Sequence, residues 1–321
     1  MSDNMKSHIW VIGAGPITID YIKVFDALKI GYHVLGRGID SAKDFEEKTG
    51  VKVIIGGLEN YLCDCKDLPS AAIVAVGIEQ LANVTIMLLQ KGIKKILVEK
   101  PGGLNADEIS SVHEETKERE ATVYVAYNRR CYASTLKAQE IIREDGGVRS
   151  FHFEFTEWSH EIVKMGKAPG IKENWLLANS SHVIDLAFFL GGKPKEISCH
   201  VGGELDWHPS GSIFTGSGIS ESGALFSYHA DWGAPGRWGL EVLTARYRLI
   251  FSPMEKLQII RKGSLMVEDV EINDILDKNY KPGLYEQVSR FLGGEYESLC
   301  NLDEQVLMWP YYCKIAGYEQ I

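Results

Sequence analysis

The chain is short of the features that mark export, membranes or nucleic acid. Its 321 residues contain no run of about 18 apolar residues and no basic segment leading into an apolar one. Neither a membrane span nor an export signal is expected, and a cytoplasmic location is. Basic residues are the minority: 34 Lys and Arg against 44 Asp and Glu leave a formal charge of −10. That balance argues against nucleic acid or an anionic membrane as the main partner. Cysteine is sparse, with six scattered residues and no Cys-x-x-Cys pair, so free thiols are expected. Cys63-Asp64-Cys65 has no second ligand pair after it, and no metal is expected. Internal repeats and low-complexity tracts are missing as well. What remains is ordinary globular composition, 45% apolar and 24% charged, in a length that suits two domains.

The first third alternates strands and helices. Apolar runs at 8–15, 71–77, 94–99 and 121–127 read as strands, with a shorter one in YHVLGRG. Between them, PITIDYIKVFDALKI has helical spacing through Ile19, Ile22, Phe25 and Leu28, and SAKDFEEKTG is a polar helix stopped by Gly50. EQLANVTIMLLQKG is a further helix, and NADEISSVHEETKERE begins with Asn105 as N-cap and acids in its first turn. Strands alternating with such helices predict a doubly wound parallel sheet over residues 1–127. After 127 the pattern changes. A helix over about 132–145 precedes RSFHFEFTEW (149–158), which alternates as a half-exposed antiparallel strand does. A helix SSHVIDLAFFLGG, strand-like pieces from 195 to 262 and two closing helices follow. The fold class expected is therefore α/β: an N-terminal doubly wound parallel sheet, then an α+β domain over 128–321 with a mainly antiparallel sheet.

GAGPIT (13–18) sits in the first strand-to-helix turn. Gly13 allows the tight turn, Gly15 lets backbone approach a pyrophosphate, and Pro16 and Ile17 open a helix whose N-terminus suits that charge. This is the turn of a dinucleotide-binding Rossmann domain, with Thr18 where the third glycine is usual. The end of the second strand, where a ribose-binding acid is expected, reads LGRG. Arg37 there pairs with a 2′-phosphate, and Ser41 and Lys43 join it. NADP(H) is favoured over NAD(H), with Asp40 as the rival ribose ligand. Val76 and Gly77, at the end of the third long strand, complete the cofactor set with the residues described next.

KKILVEKPGG ends a strand with Glu99, Lys100 and Pro101. Ligands lie outside the carboxyl ends of such strands, so Lys100 stands where nicotinamide and substrate should meet, able to donate to a hydroxyl or carbonyl oxygen. In SSHVIDLAFFLGG the polar exceptions are His182 and Asp185, and i,i+3 spacing puts them on one helix face. VEKPGGLNADEISSVHEETKEREATVYVAYNRRCY resembles the glucose–fructose oxidoreductase/inositol dehydrogenase (Gfo/Idh/MocA) family, with its Glu-Lys-Pro motif, following helix and Asn-Arg-Arg strand end. The resemblance is specific around 96–132 and 179–192 and loose from 195 to 280. It implies a catalytic Lys100, a His182 acid/base supported by Asp185, and pairing of subunits into a homodimer or homotetramer through the C-terminal sheet.

Three departures bear on the substrate. Ala178 stands where inositol-dehydrogenase relatives carry Asp, Gly77 and Leu81 replace the usual Pro and His, and KENWLLANSS replaces a glycine triplet. Candidate substrate contacts are Arg129 or Arg130, Trp158, His160, Asn174, Trp175, Asn179, Arg237 and Trp238. DWGAPGRWGLEV (231–242) joins mobile Gly-Pro backbone to aromatic faces and a guanidinium, as a sugar pocket would. The expected reaction is hydride transfer between nicotinamide and a carbinol or ketone carbon of a sugar or sugar nucleotide. The alternatives are a reductase of a non-sugar carbonyl or imine and a non-catalytic regulator of the same fold.

Overall fold

Residues 8–65 and 67–318 are described by the computed structural model. They form two compact units, one running up to Tyr127 and including Asn279–Val306, the other Asn128–Lys278 with the residues from Leu307 on. The sequence reading assigned everything after 127 to one domain. The break at 127 is where the contacts divide, but a later segment packs with the first unit.

The first unit runs β1 (His8–Ile12), α1 (Pro16–Leu28), β2 (Gly31–Leu35), α2 (Ile39–Thr49), β3 (Val53–Ile54), α3 (Gly57–Asp64), β4 (Ala71–Val74), α4 (Leu81–Gln90), β5 (Lys95–Val98), α5 (Ala106–Glu118) and β6 (Thr122–Val125). The strands lie in the order 3-2-1-4-5-6, all parallel, the order of dinucleotide-binding sheets. Continuous apolar runs such as AAIV and KILV follow from helices covering both faces. Trp10, Val74, Leu88, Ile96 and Val98 share one core beneath them. Asn105 caps α5, its side chain accepting from the Glu108 backbone N–H at 2.9 Å. Strand β3 and helix α3 carry too little periodicity to be read from sequence.

The second unit adds α6 (Ala133–Glu144), β7 (Ser150–Phe155), α7 (Ser159–Ile162), α8 (Ser181–Gly191), β8 (Pro194–Gly202), β9 (Ile213–Ser220), β10 (Leu225–Asp231), β11 (Trp238–Leu243), β12 (Tyr247–Phe251), β13 (Gln258–Arg261) and β14 (Glu268–Asp269). Its eight strands lie in the order 14-13-12-11-7-10-9-8, and every pairing is antiparallel except β7 with β10. Alternation in β7 turns Phe151, Phe153 and Phe155 inward, where Phe188 of α8 meets Phe151 and Phe153 edge-on at 5.9 and 5.6 Å. Gly191 lets α8 come this close: a Cβ there would lie 2.3 Å from the Phe151 ring.

The chain closes with α9 (Ile275–Asn279), α10 (Leu284–Gly293), β15 (Cys300–Asn301) and α11 (Leu302–Ala316). Helix α10 packs on α1, and β15 adds an antiparallel edge to β6. Among the described residues no helix is long and apolar enough to cross a membrane, and no group of three or more His, Cys, Asp or Glu is arranged to hold a metal ion.

Candidate active site

In the first unit, the carboxyl ends of β1, β2 and β4 open into a cavity of about 390 Å³ at the point where strand order reverses. Its wall includes Gly13, Gly15, Arg37, Ser41, Val76 and Gly77 from the expected cofactor set. Pro16, Ile17, Glu99, Lys100 and Pro101 stand outside that wall. Gly13 has φ +116°, and a Cβ there would meet the Ala75 carbonyl oxygen at 2.3 Å, so only glycine closes this turn against β4. Gly15 differs, because a Cβ there would meet nothing within 4 Å. The space over Gly15 is open at the N-terminus of α1, which begins on Pro16 with no side-chain cap. An uncapped helix N-terminus beside open space fits a pyrophosphate. Thr18 does not spoil the turn: it is buried, and its hydroxyl donates to the Gly13 carbonyl at 2.8 Å.

The two candidate ribose ligands lie differently with respect to this wall. Arg37, Gly38 and Ser41 line it, while Asp40 and Lys43 do not. The Ser41 hydroxyl donates to the Gly38 carbonyl at 3.1 Å, at the start of α2. Sequence reasoning missed Glu59, Glu79 and Asn83, which line the same cavity from α3, the short turn before α4, and α4 itself. Glu79 rests its carboxylate over Gly77, where a Cβ would lie 2.4 Å from it.

Lys100 follows the end of β5, beside β4 at the centre of the sheet. The Lys100–Pro101 peptide is cis. The Pro101 carbonyl accepts from Gln305 Nε2 at 2.8 Å, and the same buried amide donates to the Tyr127 hydroxyl at 3.2 Å. The first turn of α11 thereby anchors the backbone that carries Lys100. Tyr21 of α1 donates to Glu99 Oε1 at 2.7 Å. Burial pushes the Glu99 carboxyl up, against the opposing pull of Tyr21, Lys100 and Lys281. Burial raises the Tyr21 phenol too, and the neighbouring Glu99 adds to it.

In the second unit, His182 lies in the first turn of α8, directly after a π-helical turn, Leu176–Ser180. Such turns recur at functional sites. Its ring stands 6.3 Å from that of Trp238. Arg129 and Arg237 both lie over Trp238, at 4.7 and 4.8 Å, and Arg237 also lies over Trp158 at 5.0 Å. The structure thus gathers His182, Arg129, Trp158, Arg237 and Trp238 into one cluster. Asn179 joins it through a residue the sequence reading passed over, Glu157. This carboxylate is 2% exposed and accepts from Ser180 Oγ at 2.7 Å, Asn179 Nδ2 at 2.9 Å and Arg237 Nη1 at 3.3 Å. Burial pushes it up, while those donors hold it down. Its signal was present in the sequence: Glu157 is in phase with Phe151, Phe153 and Phe155, an acid on the buried parity of the strand. Burial holds the Arg129 guanidinium below its ordinary value, and among the described residues its buried Nε has no hydrogen-bond partner.

Two expected contacts are engaged elsewhere. Asn174 turns back to donate to the Gly170 carbonyl at 2.9 Å, and Trp175 is buried edge-on against Trp207 at 6.2 Å. Arg130 is not a surface ligand either. It is buried and holds Asp185 bidentately, Nε to Oδ2 at 2.8 Å and Nη2 to Oδ1 at 2.5 Å. The carboxylate expected to serve His182 is therefore also half of a buried ion pair. His160 is exposed beside Trp158, the rings 6.4 Å apart. None of the six cysteines is in a disulfide.

A glycine turn without room for a side chain, an open helix N-terminus and a parallel sheet in the order 3-2-1-4-5-6 define a Rossmann-type dinucleotide-binding domain. Residues 7–127 match the GFO_IDH_MocA family model, described as "Oxidoreductase family, NAD-binding Rossmann fold". Trans-1,2-dihydrobenzene-1,2-diol dehydrogenase of Oryctolagus cuniculus is 24% identical over 205 residues, 59% of this chain; the chain spans 58% of that relative's length. A levoglucosan dehydrogenase solved with NADH and levoglucosan superposes with a TM-score of 0.77 at 16% identity, covering 96% of this chain and 95% of that one. UDP-N-acetylglucosamine 3-dehydrogenase GnnA of Acidithiobacillus ferrooxidans does so with a TM-score of 0.73 at 13% identity, covering 96% of each. These likenesses extend the shared fold through the second unit.

Proposed function

We propose that the protein is an NADP(H)-preferring oxidoreductase that moves hydride between nicotinamide C4 and a carbinol or ketone carbon of a sugar or sugar nucleotide. The observation that carries this reading is the presence, in one parallel sheet, of a glycine turn fitted to a pyrophosphate after β1 and of Lys100 at the end of β5, two strands away. When bound, the cofactor supplies or accepts the hydride. Gly13, Gly15, Pro16 and Ile17 would hold its pyrophosphate, Arg37 and Ser41 the 2′-phosphate, and Val76, Gly77, Glu99 and Pro101 the remainder. The Lys100 ammonium donates to the reacting oxygen and stabilises negative charge as it develops there. His182 removes the hydroxyl proton in oxidation and returns it in reduction. Asp185, clamped by Arg130, supports the helix turn that carries His182. Asn179, Arg237, Trp158 and Trp238 border the substrate, and the unsatisfied Nε–H of Arg129 is a donor for one of its oxygens. Sugar-type substrates named for the two solved relatives support the substrate class.

Arg37 carries the cofactor preference. In parallel fluorescence titrations, NADPH should bind more tightly than NADH, and Arg37→Asp should reverse the order, losing about tenfold or more for NADPH. Tighter NADH binding by the native protein would move the ribose contact to Asp40.

The outer face of the eight-stranded sheet supports assembly into a homodimer or homotetramer. Leu225 and Ile213, on adjacent strands of that face, are 58% and 41% exposed. Light scattering after size exclusion should report a dimer or tetramer, and Leu225→Glu should shift it toward monomer. A native monomer would remove this proposal. Nucleic acid and membranes are not proposed as partners.

A further inference from the structure

A second cavity lies wholly within the second unit, about 730 Å³ in volume, between α7, the turn around Trp207 and the Gly233–Gly236 loop. Its size is that of a ligand site. Trp158, Trp207 and Trp232 line it, with Glu157, Asp206 and His160. Trp158 is 49% exposed although its Nε1 is fixed on the Gly236 carbonyl at 3.0 Å. Trp207 and Trp232 lie parallel, 5.6 Å apart with 2° between planes, and Trp207 is pinned by its own bond to Ser159 Oγ at 3.1 Å. Trp158 offers a fixed, half-exposed ring face, and Trp232, 1% exposed, backs Trp207 from within. The cleft also adjoins the His182 cluster through a continuous stack: Trp158, Arg237, Trp238, His182.

Charge decides what fits. The lining contains two carboxylates, Glu157 and Asp206, and neither Lys nor Arg. The nearest guanidinium in the stack, Arg237, is paired with Glu157 and laid against two tryptophans. Glu157 is buried and already paired with Arg237, so a pyrophosphate entering this cleft would face the Asp206 carboxylate with no Lys or Arg in the lining to offset it. A pyranose ring has the opposite fit. Its C–H faces cover indole surface, and its hydroxyls can donate to Asp206 and the loop carbonyls. We infer that this cleft takes an uncharged saccharide ring, so that the substrate is a glycoside with a second sugar unit beside the reacting one, not a nucleoside diphosphate sugar. This rests on the proposed sugar oxidoreductase reading.

The test is calorimetric and fluorescence titration of the full chain with maltose, cellobiose, trehalose and lactose, and with UDP-glucose, each on native protein, Trp158→Ala and Trp158→Phe. At least one disaccharide should bind, about tenfold more weakly in Trp158→Ala and near native strength in Trp158→Phe. UDP-glucose should bind more weakly than that disaccharide. Tighter binding of UDP-glucose than of any disaccharide, binding of no disaccharide, or a silent Trp158→Ala would each overturn the inference. NADPH titration of the same samples separates the two readings. Normal NADPH binding without a sugar isotherm sinks only the cleft; a sugar isotherm without NADPH binding sinks the oxidoreductase reading and leaves the cleft.

Discussion

Lys100→Met should bind NADPH about as native protein does and lose about 10²–10³-fold in kcat on any sugar the native protein turns over. The magnitude follows from removing one charged donor aimed at an oxygen that gains negative charge in the transition state. The methionine keeps most of the side chain's length and apolar stem, and the backbone beneath it is held by Gln305 on the Pro101 carbonyl. The strand end should therefore survive the change, and the loss should fall on the chemical step. Single-turnover measurement with saturating NADPH isolates that step. A variant that keeps the native rate would remove Lys100 from the chemistry and bring forward a non-catalytic, cofactor-sensing role for the same fold.

Arg130→Met should lower the unfolding free energy by about 3–5 kcal/mol, because it leaves the buried Asp185 charge without its guanidinium. Arg130→Met/Asp185→Leu should recover most of that loss, since it removes both charges together. Urea unfolding of the three proteins measures the pattern. The same set tests what Asp185 is for. If its main task is the ion pair, Asp185→Asn will be destabilised before its pH–rate profile changes. If its main task is to serve His182, the profile will shift while stability changes little. Equal stability of Arg130→Met and native protein would mean that the pair contributes nothing to the fold.

Much of the first unit was legible residue by residue. Each signal there is local: an apolar run for a strand covered on both faces, a glycine for a positive φ, a proline at a helix start, Asn105 as a cap. Such features depend on neighbours a few residues away, so sequence carries them intact. The placement of Lys100 was legible for the same reason, because a strand's carboxyl end is marked by the residues that stop it.

The second unit was less legible because its decisive contacts span long separations. Nothing near RSFHFEFTEW tells that β7 pairs parallel with β10 on one side and antiparallel with β11 on the other. Glu157 sat on the buried parity of its strand, but an acid there is tolerated only because Asn179, Ser180 and Arg237 converge on it. Asp185 read as a partner for the histidine one helical turn away, until Arg130 took both its oxygens from 55 residues off. Arg37, by contrast, was legible as a residue at the end of β2, and it lines the cavity there.

By itself, then, the sequence determined the parallel nucleotide sheet, its glycine turn and the lysine at its strand end, since short-range sterics and hydrophobic period dictate all three. Only the tertiary structure decided that Asn279–Val306 returns to that sheet, that Gln305 braces Pro101 across 204 residues, and that a buried glutamate organises the histidine's surroundings. Those outcomes depend on which distant donors and apolar faces meet once the chain is compact. Burial makes each unmet polar group costly, so the meeting is settled by the whole fold and not by any one segment.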